Sequence, residues 1–314
     1  MKKMAAVIMA LVLALAACAA AGAEGTYRIG VCQLVQHVAL DAATQGFQDA
    51  LKEKLGDSVT FDIQNASGDS NTCSTIVNNF VSGGVDLIMA NATPALQAAV
   101  AATGDIPILG TSVTDYATAL DLDSWTGATG MNVSGTSDLA PLAEQAGMLH
   151  ELFPDAKKVG LLYCSAEPNS RYQADVITEN LTALGYECVS YTFADSNDVA
   201  SVTQNACDGC DVLYIPTDNT AASCTEAIRN VVEPAGKAVI AGEEGICAGC
   251  GVATLSISYY DLGYATGEMA YEVLTGADVA SMAVRFAPHV TKKYNAELCR
   301  ALGIEIPADY VAIQ

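Results

Sequence analysis

Aromatic residues make up only 6% of the 314-residue chain, with a single tryptophan, Trp125. Histidine is scarcer: His37, His150 and His289 are the whole supply. Basic residues number 14 against 36 acidic ones, for a net charge of −22. The acids are scattered rather than blocked, which reads as a solvated surface and argues against nucleic acid or an anionic membrane as partner. Few histidines leave few candidates for a Ser-His-Asp arrangement, and only His37 falls where a strand ends. No GxSxG elbow, HExxH zinc helix or P-loop occurs, and no GxGxxG follows the first strand. A non-enzymatic chain without metal or cofactor is therefore expected. Past the first 17 residues no run is long and apolar enough to span a membrane.

What is present begins with a secretion signal over residues 1–17: Lys2 and Lys3, then an apolar run from Met4 to Leu15. Leu15-Ala16-Ala17-Cys18 has the form of a bacterial lipobox, in which Cys18 becomes the lipidated N-terminus, and residues 18–26 would be a linker. A competing cut lies at Ala21-Gly22-Ala23, an ordinary signal-peptidase site. Either cut places the mature protein outside the cytoplasm. Cysteine is abundant, at eleven, and two pairs are CxxC: Cys207/Cys210 and Cys247/Cys250. Structural disulfides or plain buried thiols, a local zinc or bridged CxxC loop, and a dithiol redox centre are all open. Each pair precedes a strand, on the sheet edge away from the polar breaks.

Those breaks organise the chain. Val212–Thr220 (VLYIPTDNT) is an apolar strand that breaks into Thr217, Asp218, Asn219 and Thr220 and then an Ala-rich helix. The pattern repeats at Arg28–Gln36 (then His37), Asp86–Thr93, Pro107–Thr114, Val159–Ser165 and Ala238–Glu244. Continuous apolar strands alternating with helices predict parallel sheets covered on both faces. Strands are expected at Tyr27–Leu34, Val59–Asn65, Asp86–Asn91, Ile106–Thr111 and Gly127–Val133, and the pattern restarts after Ser134. The fold class is α/β: two doubly wound parallel-sheet lobes, residues 27–133 plus 258–288 and residues 134–257 plus 289–314, joined by a three-segment hinge. In such sheets the breaks share one edge, where ligands bind.

Six motifs in order carry a family resemblance: Gln33-Leu-Val-Gln-His37-x-Ala-Leu-Asp41, Asn91-Ala-Thr-Pro-Ala95, Gly135-Thr-Ser-Asp138, Tyr214-Ile-Pro-Thr-Asp-Asn219, Gly242-Glu-Glu244 and Ser256-Ile-Ser-Tyr-Tyr-Asp-Leu-Gly263. Together they resemble bacterial ABC-transporter substrate-binding proteins of the tryptophan-binding type. The resemblance implies a type I periplasmic-binding-protein fold that closes on a small ligand and delivers it to a membrane permease, with a monomer expected. It also implies an amino acid, often aromatic, as ligand. The residues suit that chemistry. A carboxylate is well placed at the helix start after Thr93, with Thr93 and Ser112 as hydroxyl donors. An ammonium wants a desolvated carboxylate, from Asp218, Glu243 or Glu244. Gln33, His37, Asn91, Asn132, Ser137, Asn169, Thr217 and Asn219 would complete the polar lining, with Tyr259 or Tyr260 as an aromatic wall.

The bland readings stand beside these. Asn219 and Thr220 suit plain helix caps, whereas Asp218, an acid beside a good cap, is surplus to capping. Thr93 before Pro94 suits an N-cap, His37 a structural imidazole, and the tyrosine pair core packing. Of the adjacent Glu243 and Glu244, one is expected to face the cleft. The low aromatic content keeps another apolar amino acid, a nucleoside or a sugar open as ligand, and the CxxC pairs keep a thiol oxidoreductase open as a function.

Overall fold

A computed structural model describes residues 26–287 and 289–313. The signal peptide, Cys18 and the linker up to residue 25 lie outside the described residues, as does Pro288, where the third crossing between lobes was expected. Among the described residues no helix is long and apolar enough to cross a membrane.

In chain order the first lobe runs β1 (Tyr27–Gln33), α1 (Val38–Leu55), β2 (Val59–Asn65), α2 (Ser70–Gly83), β3 (Leu87–Asn91), α3 (Thr93–Ala102), β4 (Ile108–Val113), α4 (Tyr116–Ala119) and β5 (Val133–Ser137). The second runs α5 (Leu142–Leu152), β6 (Lys158–Cys164), α6 (Pro168–Ala183), β7 (Glu187–Phe193), α7 (Val199–Gly209), β8 (Val212–Ile215), α8 (Asn219–Ser223), α9 (Thr225–Val232), β9 (Val239–Ala241), α10 (Glu244–Cys250) and β10 (Ala253–Ser256). Then follow α11 (Tyr259–Leu274), β11 (Arg285–Phe286), β12 (Thr291–Tyr294), α12 (Ala296–Leu302) and β13 (Val311–Ala312).

Two sheets result, with strand orders β11-β5-β4-β3-β1-β2 and β13-β12-β10-β9-β8-β6-β7. The first is parallel throughout. In the second, only the β10–β12 pairing is antiparallel. Strand alternation divides each core by face. Ile29 and Val31 of β1 pack with Phe47 and Met269 under α1 and α11, while Cys32 packs with Val77 and Phe80 of α2. Residues 138–141 and 257–258 make two passages between sheets, and the chain is in the first sheet at Phe286 and in the second from Thr291. After the second passage α11 returns to the first lobe and lies against α1. The two helices approach so closely that a methyl on Gly263 would run into the Ala43 carbonyl, and one on Gly46 into that of Tyr260.

The strand expected at residues 127–133 is instead Val133–Ser137, and it pairs with β4 in the first sheet. The first lobe therefore extends to Ser137 rather than stopping at residue 133. Apolar patterning missed this strand because its buried face is polar and internally satisfied. Ser134 donates to the Met282 carbonyl at 2.9 Å, Thr136 meets Thr266 at 2.8 Å and Ser137 donates to the Thr114 carbonyl at 2.7 Å. The single Ala-rich helix expected after the polar break is two, α8 and α9, broken at Cys224.

The ten cysteines among the described residues are free thiols. Cys207 and Cys210 close α7, Cys247 and Cys250 close α10, and all four pack into one apolar cluster of the second lobe. Burial pushes the thiols of all four up. That is the reverse of the lowered pKa an attacking thiolate needs.

Candidate functional site

The carboxyl ends of β1 and β4 face those of β6, β8 and β9 across the gap between lobes. They enclose a central cavity lined by His37, Leu40 and Ser112 of the first lobe and by Asn169, Thr217, Asp218, Asn219 and Glu243 of the second, with Asp138 and Tyr259 from the hinge. It holds about 10 Å³, close to one water's probe volume, so the lobes are shut. His37 Nε2 meets Asn219 Oδ1 at 3.3 Å across the gap.

Two backbone positions at the first-lobe edge are strained. Ala92 has φ 91° and Ser112 φ 54°, left-handed values that cost a non-glycine residue roughly 1–3 kcal/mol. Ser112 reaches that conformation through an irregularity in β4 between Gly110 and Val113. Ala92 turns the chain so that Thr93 opens α3. The hydroxyls of Thr93 and Ser112, and the amide oxygens of Asn91 and Asn169, are buried with no hydrogen-bond partner. Buried polar atoms are rarely left so, and these four, three in the first lobe and Asn169 in the second, call for a partner.

Asp218 is 1% exposed. It is the N-cap of α8, accepting from the Ala221 N–H at 2.7 Å, and its second oxygen takes the Cys164 N–H, also at 2.7 Å. Capping therefore falls to Asp218 itself and not to Asn219 or Thr220, whose N–H groups go to Glu167 at 3.1 and 2.8 Å. Burial, reinforced by the nearby Glu167 charge, pushes the Asp218 carboxyl up to about 8. Glu243 caps α10 by accepting from Gly245 and Ile246, and burial lifts it to about 7. Burial also raises Asp138, which accepts from Tyr259 at 2.8 Å and Thr114 at 3.1 Å. Burial lowers the imidazole of His37, favouring its neutral form.

The remaining candidates divide. Thr217 and Asn169 sit at the cavity, Thr217 through its pairing with Gln173 and Asn169 through a 3.0 Å bond to the Thr217 carbonyl. Gln33 does not reach the cavity, because Asp41 and Thr44 hold its side chain at 2.7 Å. The amide nitrogen of Asn91 ties β3 to α1 through the Leu40 carbonyl at 2.8 Å. Ser137 braces the first passage and stands outside the lining. Asn132 is misplaced: it precedes β5, at the amino edge, and holds the Thr103 and Ile106 carbonyls. The reading that put it in the cleft followed from ending the strand four residues early. Glu244 turns outward, paired with Lys293 at 2.6 Å, so of the two adjacent glutamates Glu243 faces the cavity.

Sequence reasoning passed over Asp138, Glu167 and Gln173. Asp138 closes a quoted motif, and Glu167 stands directly before Pro168 at a helix start, a cap position that the sequence does signal.

To the sides of the central cavity lie two larger spaces. One, of about 810 Å³, runs along the hinge and shares Glu243 and Tyr259 with the centre. The other, of about 140 Å³, is the mouth between the ends of β1 and β6 and shares Asn219.

Comparison with known proteins places this arrangement. The chain is 38% identical over 280 residues, 88% of its length and 81% of the relative's, to a tyrosine-binding protein of Clostridioides difficile. It superposes on an ABC domain from Streptococcus pneumonia in complex with L-Trp with a TM-score of 0.86 and 31% identity, covering 90% of this chain and 97% of that one. On a ligand-free, open substrate binding protein with adhesive properties from Clostridium difficile the TM-score is 0.68 despite 37% identity, over 92% and 100% of the two chains. Lobes swung apart lower a whole-chain score even where sequences are closer, which agrees with the shut cavity. A family model, ABC transporter substrate binding protein, matches residues 28–312. With two type I lobes, a shut cavity between them and a match over nearly its whole length, the chain belongs to the ABC transporter substrate binding protein family.

Proposed function

We propose that the chain is the extracytoplasmic receptor of an ABC importer and holds a free aromatic α-amino acid between its lobes. The observation that carries this reading is one of charge. Asp138, Glu167, Asp218 and Glu243 are each at most 4% exposed, and no lysine or arginine lines the central cavity. A buried carboxylate is costly without a partner, and an α-ammonium supplies one for this cluster. The unpartnered hydroxyls of Thr93 and Ser112, beside the first N–H groups of α3, suit the α-carboxylate. An amino acid exceeds the central space, so the lobes open at the passages between sheets to admit it. The aromatic class rests on the tyrosine-binding relative and the L-Trp complex.

A thermal-shift screen of the mature protein tests the reading. Aromatic L-amino acids at 100 times their dissociation constant stabilise by about 2.7 kcal/mol; N-acetylated analogues, lacking the cation, do not. A shift with nucleosides or sugars alone overturns it. The receptor is further proposed to act as a monomer held to the membrane by lipid on Cys18. An unlipidated mature N-terminus at Glu24 overturns that anchoring, and a dimer in light scattering overturns the monomer.

A further inference from the structure

We propose that Cys32 of β1 and Cys73 of α2 join as a disulfide in the mature protein, and that they are the one pair among the described thiols placed to do so. The oxidising surroundings rest on the extracytoplasmic placement above; the pairing rests on how α2 lies on β1. The helix runs back along the strand, as a crossover between parallel strands requires. Phe80, near its end, lies over Gly30, where an added methyl would meet the ring at 2.6 Å. Cys73, Val77 and Phe80 share the buried face of α2, and Cys32 shares the Gly30 face of the strand because side chains alternate. At the other end of the helix, the Ala66 and Gly68 N–H groups donate to the Gln33 and Leu34 carbonyls at 2.9 and 2.8 Å, and the Cys73 N–H donates to the Asp69 carbonyl at 3.1 Å. The first turn of α2 is thereby fixed over the end of β1 that carries Cys32.

Both thiols are fully buried in one apolar cluster, and that of Cys32 hydrogen-bonds that of Cys73. This bond pushes the Cys73 thiol down and the Cys32 thiol up, so Cys73 is the attacking thiolate of the two. Other thiols turn to oxygen instead: Cys164 to the Ala194 carbonyl, Cys250 to that of Ile246 and Cys299 to that of Val252, each at 3.4 Å, and Cys210 to the Tyr191 hydroxyl at 3.6 Å. Each CxxC pair thus has a member directed away from its partner. The bond forms by exchange during folding, before the core closes. The Cys73 thiolate attacks one sulfur of a small-molecule or protein disulfide and releases one donor thiolate. The Cys32 thiolate then displaces the second donor thiolate from the mixed disulfide. Two electrons pass from the cysteines to the donor, whose two sulfurs end as thiols carrying the two cysteine protons. The closed loop, residues 32–73, includes His37 and α1, and closing it restricts the unfolded chain.

Peptide mapping tests the bond. The protein is exported through its own signal peptide, collected without reductant, denatured in urea with an alkylating agent and digested. The Cys32 and Cys73 peptides emerge joined, while the other described cysteines carry the alkyl group. A second sample, reduced in urea and refolded in oxidised and reduced glutathione, gives the same link. In scanning fluorimetry the gap in melting temperature between wild type and Cys73→Ala is wider by roughly 5–15 °C without reductant than after reduction. Alkylation of Cys32 and Cys73 in both samples, a link from either to another cysteine, or an equal gap under both conditions overturns this inference. A link that forms in glutathione but is missing from the exported protein overturns the extracytoplasmic placement and leaves the pairing standing.

Discussion

Asp218→Ala separates the structural work of this carboxylate from its part in binding. In the unliganded protein the substitution strips acceptors from two buried N–H groups, those of Cys164 and Ala221, each at 2.7 Å. Leaving one such group unsatisfied costs about 1–3 kcal/mol, and losing an N-cap costs about 0.5–2 kcal/mol. Part of that is offset, because the change also removes a buried acid disfavoured by its surroundings and by Glu167. The net loss is about 2–3 kcal/mol, which in chains of 150–250 residues lowers the melting temperature by roughly 4–12 °C. Scanning fluorimetry with and without L-tyrosine reads both effects: a lower unliganded midpoint and no ligand-induced rise. From sequence alone, capping falls to its neighbours, Asn219 and Thr220, and Asp218 is surplus to it. A variant melting within about 1 °C of wild type shows that the two hydrogen bonds carry little energy. One that keeps the full rise with tyrosine removes Asp218 from the proposed ammonium site.

The pH response follows from the same cluster. Asp218, near 8, and Glu243, near 7, hold protons more tightly in the shut, unliganded form than in water, so closure is favoured in acid and lost as pH rises through about 7 to 8. Small-angle scattering of the unliganded protein shows expansion over that window; an invariant radius from pH 5.5 to 9 refutes it. Ser112→Gly relieves the positive φ but loosens the unfolded chain, effects of about 1 kcal/mol each that oppose one another. Unliganded stability stays within about 1 kcal/mol while ligand affinity falls at least tenfold; unchanged affinity removes the hydroxyl from the site. Gly263→Ala forces α11 off the Ala43 carbonyl and costs about 1–3 kcal/mol as overpacking. Urea unfolding reads this loss, and an unchanged midpoint shows that the two helices can separate without cost.

Much of the second lobe was legible because strands such as Lys158–Cys164 and Glu187–Phe193 are bounded by turns and helices of opposite period. Where burial and polarity coincide, patterning failed. Val133–Ser137 is fully buried yet carries two serines and a threonine, so the first passage was set too early and Asn132 was drawn into the site. Local sequence does mark which side chains stand at strand ends, because the break from apolar to polar is a local event. It does not mark their partners: Gln33 is taken by Asp41 and Thr44, and Glu244 by Lys293.

By itself, then, the sequence determined two α/β lobes, a shared polar rim and an acidic molecule, since period, length and charge are properties of the chain read one segment at a time. Only the tertiary structure decided that Asp138, Glu167, Asp218 and Glu243 are buried together with no basic residue lining the cavity. It likewise decided that Thr93 and Ser112 keep unpartnered hydroxyls at the opposite rim. Charge repulsion and unmet hydrogen bonds depend on distances between residues far apart in the chain, and those distances exist once the lobes have met.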